Sequence, residues 1–261
     1  MRHQSPFGAT RSLVEADPAL PYFFVEHSIP AGHATPYLRA ADLHSYVVTG
    51  GAVTVDFVEN GGDRVQTLVV ERLFGWHAPR GSVFRVRAQQ RATLVEAGAH
   101  AGTEARPTGF PAAAATSTIE AVSRYTVDKP WGHEVWYTEN LTEPRYALKQ
   151  IHMTAGHQSS LQSHREKAET NYVVEGEAVV RNGLPAPDDL TTVIDVERIP
   201  LRVHRAGSGW SSAPRILHRV IARTDYTSIE VSTPQLDDVI RWQDDTGRGH
   251  GRIAAEHLGA R

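Results

Sequence analysis

Apolar residues fall in short, β-branched runs separated by glycine and other turn formers: Tyr22-Phe-Phe-Val-Glu-His-Ser-Ile29, Ser45-Tyr-Val-Val48, Ala52-Val-Thr-Val-Asp-Phe-Val58, Gln66-Thr-Leu-Val-Val70 and Ala92-Thr-Leu-Val-Glu96. The pattern resumes with Tyr146-Ala-Leu-Lys-Gln-Ile-His-Met153, Asn171-Tyr-Val-Val174, Glu177-Ala-Val-Val180 and Ser228-Ile-Glu-Val231. Runs of this length with period-two alternation predict strands, and their regular spacing predicts barrels or jelly rolls. A helical period of 3.6 is scarce outside the tail from Arg252 to Leu258. Between the two sets, residues 102–120 are rich in Pro, Gly, Ala and Thr without alternation. The expected organisation is therefore all-β with a first domain at 1–101, a linker at 102–120 and a second domain at 121–261.

Composition bounds the function. At 261 residues the chain can bury two medium cores, and 40% apolar with 22% charged residues is ordinary for a globular protein. A net charge of −3 offers no bulk attraction to nucleic acid or to an anionic membrane. No apolar run approaches a membrane span, and the start Met1-Arg-His-Gln-Ser-Pro6 lacks a signal-peptide hydrophobic region, so a cytoplasmic location is the default expectation. The absence of cysteine removes disulfides and thiolate chemistry.

The densest chemistry lies between Gly156 and Gly176. Gln162 and His164 are two residues apart, so on a strand both face one pocket. Glu169 returns beside them at the start of the next strand, and Pro214-Arg-Ile-Leu-His218 supplies a fourth ligand some fifty residues on. Gln162, His164, Glu169 and His218 thus form a candidate site for one divalent metal ion. Nitrogen, amide and carboxylate ligands without sulfur suit Zn, Mn, Fe, Co or Ni alike.

This run resembles the first motif of the cupin superfamily, with Gln162 in place of the usual first histidine. Lys129-Pro-Trp-Gly132 upstream, and Asp237-Asp-Val-Ile-Arg-Trp242 with Gly247-Arg248 downstream, extend the likeness to the C-terminal cupin of type II phosphomannose isomerases. It covers about residues 125–248, is weak between 181 and 210, and does not include the sugar-nucleotide pyrophosphorylase domain that the family usually carries. The second motif, Pro214 to His218, is a residue short and lacks its glycine, and the longer Arg181–Gly209 segment implies a rebuilt pocket wall. The first half keeps the same frame, but Leu38, Ala40, His44 and Phe84 stand at the ligand positions. It reads as a second, metal-free cupin serving as scaffold, lid or homodimer surface, with His44 packed or hydrogen-bonded, and the fold class expected is two tandem cupin barrels.

The resemblance implies a metal-dependent isomerase interconverting aldose and ketose forms of a small-molecule sugar or sugar phosphate. The metal can bind the carbonyl and adjacent hydroxyl and stabilise an enediolate, while a base moves the proton between carbons. Of 27 basic residues only Lys129, Lys149 and Lys167 are lysines, all in or beside the candidate site. Parity with Ile151 and Met153 turns Lys149 inward and His152 outward. Lys149 and Lys167 are the catalytic candidates, Glu166 being disfavoured by exposure of its loop, and Arg219 and Arg241 are expected to bind substrate phosphate. Two rival readings are an Fe-dependent cupin oxygenase and a non-catalytic sugar-binding or regulatory cupin.

Overall fold

The computed structural model describes residues 2–14, 20–61, 64–99, 105–108, 115–142 and 145–253. It divides into two compact units, Met1–Val122 and Ser123–Arg261, each built of two antiparallel sheets. Among the described residues the one helical element is a 3₁₀ turn at Val196–Arg198. The architecture is two tandem cupin barrels. Residues 254–258 of the expected helical tail lie outside the described residues, and Gly251–Ile253 forms a strand.

The expected linker needs correction. Its described parts belong to the first unit: Arg106–Pro107 pairs with Leu38–Arg39, Glu120–Ala121 pairs with the strand Gly75–Ala78, and Ile119 joins the first core. Residues 102–104 and 109–114 lie outside the described residues. A segment without alternation can still close a sheet edge when strand backbone nearby offers unpaired N–H and C=O groups.

In the second unit one sheet runs Tyr125–Lys129, Gly132–Trp136, Ala147–Met153, Tyr226–Ser232, Glu169–Glu175 and Gly209–Ser212. The facing sheet runs Leu201–Arg205, Glu177–Pro185, Ile216–Ala222, Leu161–His164, Val239–Gln243 and Gly251–Ile253. Alternation within these strands sorts their residues. On one face Leu161, Leu217 and Trp242 pack under Ile194 and Ile199, on the other Gln162, His164 and His218 look inward. Within the Arg181–Gly209 segment, residues 181–185 and 201–205 are therefore strands of the second sheet, Ile194 and Ile199 between them pack on its outer face, and none of the segment's residues lines the cavity, which corrects the expectation of a rebuilt pocket wall.

Pairing register shows that the two barrels are copies. Leu38 pairs with Phe84 as Gln162 pairs with His218. His44 lies between Ala78 and Gly98 as Glu169 lies between Ser212 and Ser232. Glu96 and Glu230 occupy one equivalent position, and Trp76 and Trp210 another. The turn three residues before Phe84 holds Gly81 at φ +87°, its N–H bonded to the Ala40 carbonyl at 2.8 Å. The equivalent turn before His218 holds Arg215 at φ +64°, its N–H bonded to the His164 carbonyl at 2.6 Å. A side chain in that left-handed region costs roughly 1–2 kcal/mol relative to an ordinary conformation.

The first barrel fills the position of a metal site with apolar groups. Leu38, Ala40 and Phe84 are buried in a core with Tyr46 and Trp76, whose rings stack at 4.7 Å. His44 is hydrogen-bonded, its Nδ1 2.6 Å from Glu96 Oε1. Tyr46 Oη donates to the same carboxylate at 2.8 Å, and His27 Nε2 lies 2.7 Å from its other oxygen. Burial by itself would raise the Glu96 carboxyl, but His27 and His44 hold it well below the usual range.

A depressed carboxylate binds fewer protons folded than unfolded, so its stabilisation is complete above the unfolded value of about 4.3 and lost as pH falls. Glu96→Gln is expected to destabilise the protein by about 1.5–3 kcal/mol at pH 7, the size of a lost hydrogen bond to a buried charged group. Denaturant titrations at pH 7 and pH 3 check this: the gap between parent and variant should narrow at pH 3.

Candidate metal centre

The site lies between the two sheets of the second barrel, where the strand Leu161–His164 sits between Ile216–Ala222 and Val239–Gln243. His164, Glu169 and His218 are all buried, and each offers one ligand atom within 4.8 Å of the others. The His164 and His218 rings stack at 5.2 Å. His218 Nδ1 lies 3.1 Å from the Ile216 carbonyl and 3.1 Å from Ser212 Oγ, which leaves Nε2 directed inward. That nitrogen is 3.3 Å from Glu169 Oε1 and 3.2 Å from Gln162 Nε2. Outer hydrogen bonds of this kind fix ring orientation in metal-binding histidines.

The residues fit a metal ion on three grounds. Among the described residues, both ring nitrogens of His164 are buried without a hydrogen-bond partner, Nε2 being 3.5 Å from Glu169 Oε2, and buried polar atoms are rarely left so. Burial, followed by the nearby Lys167 charge, pushes His164 down to about 4, so its imidazole is the neutral form that ligates. Burial would raise Glu169, but Lys167 and His218 hold it well below the usual carboxylate range, so it is ionised. The Gln162 amide as placed presents Nε2; rotated by half a turn it presents Oε1 instead. Ser160 Oγ, 3.2 Å from the amide oxygen, can donate or accept and so serves either orientation.

A file of alternating charges leads away from the triad. Lys167 Nζ donates to Glu169 Oε2 at 2.7 Å and to Glu230 Oε1 at 2.9 Å. Lys149 Nζ lies 3.6 Å from Glu230 and donates to Glu134 Oε1 at 2.8 Å, and Lys129 lies 3.6 Å from Glu134 Oε2. All six groups line one cavity of about 70 Å³. Trp136 and Leu236 border both this cavity and an outer cleft of about 690 Å³. The Trp136 ring lies 4.8 Å from Lys149 Nζ, a cation–π contact. Burial would lower both ammonium groups, yet their carboxylate neighbours outweigh it and raise them. Lys149 and Lys167 are therefore fixed cations, and Lys149 is not suited to be a base that gives up its proton.

The expected arginines are placed differently. Arg219 follows His218 and so points to the opposite face, where its Nη2 donates to the Gln243 carbonyl at 3.1 Å. Arg241 shares a face with Gln162 but donates to the Gly249 carbonyl at 3.1 Å and does not line the cavity. Arg248 is the arginine among the described lining residues, and Asp244 grips it at 2.6 Å. His152 faces outward against His133, and Glu166 is exposed.

Glu134 and Glu230 were not singled out from the sequence. Their signal was present: each is an acidic residue among apolar neighbours in a strand, Val135-Trp136 beside one and Ile229-Val231 around the other. A buried charge of this kind requires a partner.

No family model matches the chain, and no curated protein matches it. Solved structures do. An oxalate decarboxylase of Bacillus subtilis, studied for its Mn(II) centres, superposes with a TM-score of 0.65 at 12% identity, covering 92% of this chain and 77% of the other. The oxalate decarboxylase of Lactobacillus farciminis in complex with formate gives 0.66 at 10% identity, covering 92% and 86%. Both likenesses concern the bicupin fold.

Proposed function

We propose that the second barrel is the active site of a metal-dependent isomerase interconverting aldose and ketose forms of a sugar or sugar phosphate. The observation that carries the reading is the file Lys129, Glu134, Lys149, Glu230, Lys167 and Glu169, running from the metal triad along one cavity wall. Gln162, His164, Glu169 and His218 would hold the ion. When bound, a divalent ion supplies a Lewis acid for a substrate carbonyl.

The chain's own groups do the rest. Lys149 and Lys167, kept protonated by their carboxylates, stand ready to stabilise an oxyanion as it develops on the substrate. Glu230 holds the two ammonium groups in place from between them. Glu134, the carboxylate of the file farthest along it from the triad, is the one assigned to carry the proton between neighbouring carbons. Trp131, Trp136 and Trp210 supply apolar walls that keep bulk water from these charges. A sugar longer than the inner cavity extends past Trp136 and Leu236 into the outer cleft. With Arg219 and Arg241 turned away, Arg248 is the arginine left at the cavity to meet a phosphate.

A second reading follows from the small inner cavity and its paired ammonium groups: a decarboxylase of a small carboxylic acid, as the two superposing enzymes are. One experiment separates the two. Metal-loaded protein is incubated in D₂O with aldoses, aldose phosphates and short mono- and dicarboxylic acids, and followed by NMR. Ketose formation with deuterium entering at carbon is the expected result. Release of CO₂ from an acid, with no exchange in any sugar, would replace the isomerase by the decarboxylase.

A further inference from the structure

We infer that the second unit carries an oxyanion-binding pocket on the outside of the metal-bearing sheet, organised by Arg215 together with Arg165 and Arg252. The three arginines line one pocket of about 150 Å³ whose apolar wall includes Leu190 and Ile240, and whose acidic residue is Asp188.

The argument begins with the backbone. Arg215 occupies a left-handed turn, φ +64°, where the first barrel uses Gly81 at φ +87° for the same turn and the same hydrogen bond. Glycine adopts this conformation without penalty and arginine does not. One copy of the repeat therefore retains a strained arginine where the other shows that glycine suffices. A strained residue held in place points to what its side chain does. Its ion pair with Asp188 is too exposed to be the reason, since the two side chains are 63% and 88% accessible. Arg165 and Arg252 are exposed and, among the described residues, their side chains have neither a hydrogen bond nor an ion pair.

Three guanidinium groups against one exposed carboxylate, beside an apolar wall, suit a small anion with two or more oxygens and an apolar body: a phosphate monoester or a carboxylate. Guanidinium groups engage such oxygens in pairs. Asp188 stands where the ligand's anionic group would go and is exchanged for it. The pocket is distinct from the catalytic cavity in its charges but touches it through His164, which borders both and whose carbonyl accepts the Arg215 N–H.

Calorimetric titration of the metal-loaded full chain with phenyl phosphate and with benzoate tests the assignment, the two probes separating the phosphate from the carboxylate source. Saturable binding of at least one probe is expected. Arg215→Gly should weaken it at least about tenfold, the scale of a lost charge-assisted hydrogen bond, while melting at the same temperature as the parent or higher. Arg252→Gln, which leaves the turn untouched, should weaken it as well. No saturable binding by the parent would overturn the proposal, as would affinity unchanged in both variants, which would place the anion in the metal cavity. A lowered melting temperature in Arg215→Gly with full affinity would assign the arginine a purely structural role.

Discussion

His164→Ala and His218→Ala are each expected to leave the second barrel folded and to remove its bound metal. Alanine at either position takes away one of the two nitrogen ligands that face Glu169 at 3.5 and 3.3 Å. Loss of an outer group that merely orients a ligand costs ~10–100-fold in affinity, so loss of the ligand itself should cost more. Elemental analysis after dialysis checks this, with one ion per parent chain and a stoichiometry close to zero in both variants. Gln162→Ala should weaken binding less, because a neutral amide contributes less charge attraction than the carboxylate and competes with water on nearly equal terms. Ser212→Ala removes one of the hydroxyl and carbonyl contacts at His218 Nδ1 and should shift affinity without abolishing it. Undiminished metal in both histidine variants would remove the site from this barrel.

Lys149→Met and Lys167→Met should have large but different effects. Lys149 stands off the triad and is bound to Glu134 and Glu230, so its loss is expected to lower turnover by ~10²-fold or more while metal remains bound. Lys167 bridges Glu169 and Glu230, both buried, and its removal leaves Glu169 without its lysine and Glu230 with Lys149 alone, at 3.6 Å. That should destabilise the metal-free protein by about 3–5 kcal/mol. A bound divalent ion neutralises Glu169 again, so added metal should restore much of the lost melting temperature. Thermal unfolding with and without metal, alongside turnover measurements, distinguishes the two lysines. Full activity in Lys149→Met would take that residue out of the mechanism, and a Lys167→Met protein as stable as the parent without metal would contradict the counter-ion role.

Strand content, the two-barrel repeat and the positions of Gln162, His164, Glu169 and His218 were legible in the chain because all of them rest on short-range rules. A strand points alternate residues to opposite faces, so a spacing of two already places Gln162 and His164 together. Glycine at fixed offsets marks the same turns in both halves, and the register of Leu38 with Phe84 repeats that of Gln162 with His218. Parity also placed Lys149 inside and His152 outside.

Parity applies to Arg219 too, and places that residue with Leu217 on the outer face, away from His218, whereas the resemblance to a family pattern points it at substrate. Other features depended on which strands become neighbours. Glu134 meets Lys149 because Gly132–Trp136 pairs with Ala147–Met153, and Glu230 reaches both Lys149 and Lys167 because Tyr226–Ser232 lies between Ala147–Met153 and Glu169–Glu175, both distant from it in sequence. The direction in which a buried lysine titrates is decided there as well: burial alone would make Lys149 a ready base, and only the carboxylates brought beside it by folding make it a permanent cation. Sequence alone thus determined the frame and the grouping of Gln162, His164, Glu169 and His218, since both follow from local backbone geometry, whereas tertiary structure decided the charge file, the outer cleft and the arginine pocket, since each joins groups that only strand pairing brings within reach.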